Sequence, residues 1–180
     1  MSMSESPQSA IAQSSVLFSA SEVAEAYDRL AEKVTAELAE ANPVIVAVLT
    51  GGMVTAVELL KRVEFPCELD YVHATRYGDA LKGGDLHWVK APSPALAGRH
   101  VLLVDDILDE GVTIGALRAR LQADGVASLH TAVLLCKQSA ERRVDVDFVG
   151  LRMRGGYVFG CGMDYRGYWR GLADIRVLED

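Results

Sequence analysis

Val101-Leu102-Leu103-Val104-Asp105-Asp106-Ile107-Leu108-Asp109-Glu110-Gly111-Val112-Thr113-Ile114 is the stretch that decides the fold. Its first four residues are an unbroken apolar run without polar alternation, the pattern of a strand covered on both faces. Two adjacent carboxylates end the run, Asp109 follows, and Gly111 leads to a hydroxyl at Thr113 and a helical stretch over residues 113–123. In open α/β sheets, ligands sit beyond the carboxyl ends of strands. Backbone N–H groups in such a turn, backed by a helix N-terminus, attract a phosphate. Gly111 permits close backbone approach, and Thr113 adds a hydroxyl. The plainer reading is that Asp105 and Asp106 cap the turn and Thr113 caps the helix. It leaves three carboxylates within five residues repelling one another, and bound magnesium or sugar hydroxyls would offset that repulsion.

Outward from this segment, strands and helices alternate. Val44–Leu49 is a second buried strand, followed by the tight turn Thr50-Gly51-Gly52 and a helix over 53–63. Val23, Tyr27, Leu30, Val34 and Leu38 recur at helical spacing. Ser19 or Ser21 caps that helix and Asn42-Pro43 ends it. Residues 68–75, 129–135, 146–152 and Ile175–Leu178 read as strands. Residues 77–96 hold three glycines and two prolines with little periodicity, as a mobile or functional loop does. Residues 155–171, rich in glycine and aromatics, read as a loop-built site. Alternating strands and helices imply one α/β domain with a mostly parallel sheet. Residues 1–15 read as a flexible tail and residues 16–180 as the domain.

Composition narrows the function. The net charge of -7 argues against nonspecific attraction to nucleic acid or to an anionic membrane. Cys67, Cys136 and Cys161 are odd in number and fit neither a disulfide framework nor a zinc site, so they read as reduced thiols of a cytoplasmic protein. No apolar run reaches the length of a membrane span, and the N-terminus does not read as a signal peptide.

The 101–114 segment resembles the phosphoribosyl pyrophosphate signature of the type I phosphoribosyltransferases. The resemblance implies that fold, with a small C-terminal hood. It also implies that Asp105 and Asp106 hold ribose hydroxyls and that Asp109, Glu110, Gly111, Val112 and Thr113 cradle the 5′-phosphate. Glu110 stands where the family usually has Ser or Thr. Either it points outward and serves through its backbone N–H, or the phosphate site is modified.

Four further segments resemble the hypoxanthine-guanine members. Thr50, Gly51 and Gly52 match a pyrophosphate-binding loop that can carry a non-proline cis peptide, with Thr50-Gly51 as the matching bond. Arg76, Tyr77 and Gly78 match the start of a mobile closing loop, with Arg76 in place of a common Ser. Lys137, just past a buried strand, matches the donor to a 6-oxopurine; a solvated strand-end lysine is the plainer reading. Tyr157, Val158 and Asp164 match an aromatic that stacks on the base, a backbone contact to it, and a magnesium ligand. Cys161 replaces a frequent Tyr, and Arg170 matches a pyrophosphate-binding arginine.

The resemblance thus implies a magnesium-dependent transfer of ribose 5-phosphate to hypoxanthine or guanine. Asp109 would be the base, and Asp105 and Asp106 would join Asp164 around Mg2+. It also implies a homodimer or homotetramer. The rivals are the same chemistry on xanthine and a nucleic-acid-binding sensor of phosphoribosyl pyrophosphate with this fold. A nucleotide kinase lacks its Gly-rich loop with Lys here.

Overall fold

The computed structural model describes residues 6–76, 86–138 and 144–178. Its centre is β2 (Val44–Leu49), after α1 (Pro7–Ala12), β1 (Ser14–Phe18) and α2 (Ala20–Leu38). Then come α3 (Gly52–Leu60), β3 (Glu68–Arg76), β4 (Leu86–Lys90), β5 (His100–Leu108), α4 (Val112–Ala123), β6 (Ser128–Lys137), β7 (Phe148–Met153), β8 (Val158–Phe159) and β9 (Ile175–Leu178). Six strands form one sheet in the order β4-β3-β2-β5-β6-β7. All neighbours are parallel except β4, which runs antiparallel to β3. The mostly parallel α/β sheet expected from the sequence is therefore observed.

The apolar strands are buried on both faces, as their unbroken runs require. Val44 and Val46 on β2, with Val101 and Leu103 on β5, pack against Ile114, Leu117 and Leu121 of α4. Ile45 and Ala47, with Leu102 and Val104, pack against Leu30, Val34 and Leu38 of α2 and Ala56 and Leu59 of α3. Ser19 opens α2 through a reciprocal capping box: its backbone N–H donates to Glu22 Oε2 at 2.8 Å, and Glu22 N–H donates to Ser19 Oγ at 3.3 Å.

Three readings change. The expected tail is ordered from Ser6 onward. Ser6 caps α1 and Pro7 starts it. Trp169 Nε1 donates to Pro7 O at 2.6 Å, and β1 pairs with β9 from Ser14. The β9 edge and the Trp169 donor both need partners, and composition alone does not reveal that. Second, the expected 77–96 loop is in part a strand, because β4 pairs with β3; Tyr77 and Gly78 lie outside the described residues. Third, β5 does not stop at Val104. It runs through both carboxylates to Leu108, because β6 pairs with it as far as Leu108.

The hood is a second sheet, β1-β9-β8, antiparallel throughout. Among the described residues no helix is long and apolar enough to cross a membrane.

Candidate active site

The carboxyl ends of β2, β3, β5 and β6 surround a cavity of about 390 Å3 that the 157–170 segment covers. Asp105 and Asp106, Asp109 to Thr113, Thr50, Gly51, Lys137, Tyr157, Val158, Asp164 and Arg170 all line it. Residues 120 positions apart in sequence thus meet in one space, as binding at the strand ends predicts. Gly52 does not line it. It starts α3, packed so tightly that a Cβ there would approach Val104 O to 2.5 Å. Arg76 ends β3, and its side chain lies outside what is described.

The floor is built by β5 and the turn after it. Asp105 Oδ1 accepts from Asp106 N at 2.9 Å, and Asp106 Oδ1 accepts from Ile107 N at 2.7 Å. Burial is the first cause that raises the pKa of both carboxyls. For Asp105, the neighbouring Asp106 charge adds to it, while Arg170 opposes the shift at both. Gly111 turns the chain with φ +80 and opens α4. A side chain there would strike Val144, and the positive φ itself favours glycine. Glu110 is exposed. It also lines the cavity.

Two ion pairs set the ends of the cavity. Lys137 Nζ lies 2.7 Å from Asp109 Oδ2, with the lysine side chain only 18% exposed. That sheltered position removes the plainer reading of a solvated lysine. Arg170 Nη2 lies 2.6 Å from Asp164 Oδ1, and Arg170 Nη1 donates to Gly162 O at 2.6 Å. Asp164 Oδ2 also accepts from Gly167 N at 2.6 Å.

The Tyr157 hydroxyl donates to Asp164 O at 2.9 Å, and its ring meets Tyr165 edge-on at 5.9 Å. Gly160, Cys161 and Gly162 all have positive φ, which folds the hood back on the floor. A Cβ on Gly162 would collide with the Gly51 carbonyl, and one on Gly51 with the Asp106 carboxylate. Asp106, Gly51 and Gly162 therefore form a close stack in which only glycine fits. Cys161 is buried and donates to Leu172 O at 3.3 Å.

The cis peptide of the 49–52 turn is Leu49-Thr50, one bond before the expected Thr50-Gly51. Gly51 already has helical φ and ψ of -66 and -41 as the cap of α3, so the chain reverses one residue earlier. The sequence reading also missed Leu49, Ala74, Ile107 and Met163 in the lining. Ile107 had a signal, since it shares the strand face of Asp105 two residues before it. Ala74 and Met163 had none.

Among the described residues, no three His, Cys, Asp or Glu side chains cluster to hold a metal. Asp105, Asp106 and Asp164 nonetheless offer hard oxygen donors to one cavity. That set fits magnesium, which takes one or two carboxylates and completes its shell with water and substrate phosphates.

The phosphoribosyl transferase domain family matches residues 14–166. A hypoxanthine-guanine-xanthine phosphoribosyltransferase of Tritrichomonas foetus is 32% identical over 92% of this chain and 91% of its own length. A hypoxanthine-guanine phosphoribosyltransferase of Streptococcus pneumoniae is 31% identical over 92% of this chain and 93% of its own length. Among solved structures, a hypoxanthine phosphoribosyltransferase of Trypanosoma cruzi, in complex with the product IMP, superposes with a TM-score of 0.82 at 28% identity. It covers 91% of this chain and 93% of that one. With a sheet, a hood and an acidic strand-turn-helix segment that all agree with these likenesses, the chain belongs to the phosphoribosyltransferase family and is similar over most of its length to its hypoxanthine-guanine members.

Proposed function

We propose that this protein transfers the 5-phosphoribosyl group of phosphoribosyl pyrophosphate to hypoxanthine or guanine, giving IMP or GMP and pyrophosphate in purine salvage. One observation carries the reading: an acidic pair, a glycine turn before a helix, a sheltered lysine, an aromatic and an arginine all line one cavity. Asp105 and Asp106 hold the ribose hydroxyls. The backbone of residues 109–113 takes the 5′-phosphate, helped by the N-terminus of α4. Lys137 donates to the 6-oxo group and Tyr157 stacks on the base, with the Val158 backbone beside it. Asp109, within reach of the same base, removes or steers its imidazole proton.

Thr50, Gly51 and Arg170 bind the departing pyrophosphate. Asp164, Asp105 and Asp106 would hold magnesium, which supplies positive charge for the leaving group. Arg76, Tyr77 and Gly78 begin the segment that closes over the centre and excludes water. The enzyme acts in the cytoplasm as a homodimer or homotetramer. Supporting self-association, Leu69 and Tyr71 on β3 and Val89 on β4 are 56%, 46% and 60% exposed on neighbouring strands.

The test is to mix protein, phosphoribosyl pyrophosphate and magnesium with each free base and measure pyrophosphate release. Release with hypoxanthine and guanine, and not with adenine, is expected; release with none of the 6-oxopurines refutes the proposal. Xanthine belongs in the same assay. The Asp164 carbonyl already accepts the Tyr157 hydroxyl, which leaves it less free to accept from the 2-amine of guanine.

A further inference from the structure

Trp169 stands next to Arg170 in the hood, and its backbone is strained. Its φ is +70, in the left-handed region that a bulky side chain seldom enters. A residue keeps that conformation only where its surroundings impose it, and such outliers gather at functional sites. The turn before it does not account for it. Arg166 and Gly167, with φ of +50 and +88, form a two-residue hairpin in which Tyr165 and Tyr168 exchange both backbone hydrogen bonds at 2.9 Å. That hairpin is complete at Tyr168.

What holds Trp169 comes from the other end of the chain. Its indole Nε1 donates to Pro7 O at 2.6 Å, across 162 positions. Its ring joins Ile11, Leu172 and Leu178 around buried Ala10, Phe159 and Tyr165. Pro7, Ala10 and Ile11 all belong to α1. Where α1 leads into β1, Arg176 Nε on β9 donates to Ser14 Oγ at 2.9 Å and fixes its exit. α1 precedes residues 14–166, the stretch that matches the family. With six residues it is too short to persist alone, so its docking on the hood keeps it helical.

Arg170 follows directly. Its carbonyl accepts from Gly162 N at 2.9 Å, and its Nη1 returns to Gly162 O at 2.6 Å. Main chain and side chain of Arg170 thus clasp one glycine, the one packed on the Gly51 carbonyl. The direction in which the chain leaves Trp169 sets whether this clasp closes, because rotation about one backbone bond swings everything beyond it. We propose that Trp169 is a positioning residue: held from outside by α1, it fixes the backbone that turns Arg170 toward the pyrophosphate end of the cavity. Trp169 is not part of the cavity lining, so it acts through Arg170. The kinetic consequence rests on the pyrophosphate role given to Arg170 above.

The test is amide hydrogen exchange at Gly162 in the full chain, with steady-state kinetics on the same variants. Trp169→Phe keeps a ring and removes the donor. Gly162 should exchange about fivefold faster, the factor that matches one net hydrogen bond. Val104, buried in the centre of the sheet, should stay as slow as in wild type. KM for phosphoribosyl pyrophosphate should rise by about the same factor. KM for hypoxanthine should hold, because Lys137 and Tyr157 are untouched. Ala10→Asp puts a charge at a site 1% exposed and drives α1 off the hood. Gly162 exchange should then rise about tenfold or more.

Unchanged Gly162 exchange in both variants overturns the proposal. Equal rises of the two Michaelis constants in Trp169→Phe also overturn it, since a general loosening of the hood would then explain the result. Failure of pyrophosphate release with every purine refutes the proposed function instead. The exchange rates then still decide whether α1, through Trp169, holds Arg170 in place.

Discussion

The floor and the hood of the cavity both present aspartates, in opposite surroundings. Asp105 and Asp106 on β5 are held by backbone N–H groups, and burial raises their pKa values. Asp109 and Asp164 are more exposed and each meets a cation, Lys137 or Arg170. The buried pair is costly to keep ionised without a ligand, so it is poised for hydroxyls or a cation. The two paired carboxylates are compensated already, and substrates must share or displace their partners. The contrast teaches that burial disfavours the charged form of the floor pair, while the carboxylates at the ends of the cavity are offset by neighbouring cations.

The hardest blow to this contrast comes from Asp109→Ala. Loss of a general base typically lowers turnover about 100- to 10,000-fold. Affinity for phosphoribosyl pyrophosphate, measured by calorimetry, should change far less. Turnover within threefold of wild type would remove Asp109 from the chemistry and leave it only as a partner for Lys137.

Next in size is Lys137→Gln. An ammonium donates and cannot accept, so it suits a 6-oxo group and opposes the 6-amine of adenine. A site built on a buried donor rejects a ligand that leaves it unpaired. The variant should lose about tenfold or more in kcat/KM for hypoxanthine, in line with a lost charged hydrogen bond, and its preference over adenine should narrow. Paired assays on both bases decide this; an unchanged ratio with unchanged rates would show that Lys137 serves Asp109 alone.

The buried pair is probed by stability. A carboxyl whose folded pKa is raised binds protons more tightly when folded than when unfolded. Above its folded pKa it therefore destabilises the protein, and that cost fades as pH falls toward the ordinary carboxylate value. Asp106→Asn should raise Tm at pH 7, by about 2–4 °C for each kcal/mol of relieved charge burial. The gain should shrink as pH falls from 7 toward 4, while phosphoribosyl pyrophosphate binding weakens. A Tm that falls at pH 7 would mean the pair is stabilising and would end the contrast.

The smallest effect belongs to Tyr157. Replacing it with Phe keeps the ring and removes one donor to Asp164 O, an exposed bond worth about 0.5–1.5 kcal/mol. KM for the base should move less than about tenfold. Tyr157→Ala should raise it further and leave that for phosphoribosyl pyrophosphate less affected. Equal harm from both changes would make the hydroxyl, and not the ring, the working part.

By itself the sequence determined the parallel sheet, because runs such as Val44–Leu49 and 101–104 suit only strands buried on both faces. It determined the floor too, since the carboxylates, Gly111 and Thr113 lie within one strand-turn-helix unit whose chemistry is local. It left four things open: that β5 continues through Asp106 to Leu108, that residues 6–15 join the hood, that the cis bond precedes Thr50, and that Lys137 meets Asp109.

Three of these depend on a partner distant in the chain. β6 extends β5, and β9 and Trp169 hold the N-terminal segment. Lys137 reaches Asp109 because their strands are neighbours in the sheet. The stack of Asp106, Gly51 and Gly162 makes the same point. Each glycine is permitted by its own sequence, but only packing of three separate segments makes a side chain there impossible, because steric exclusion acts between atoms close in space whatever their separation along the chain.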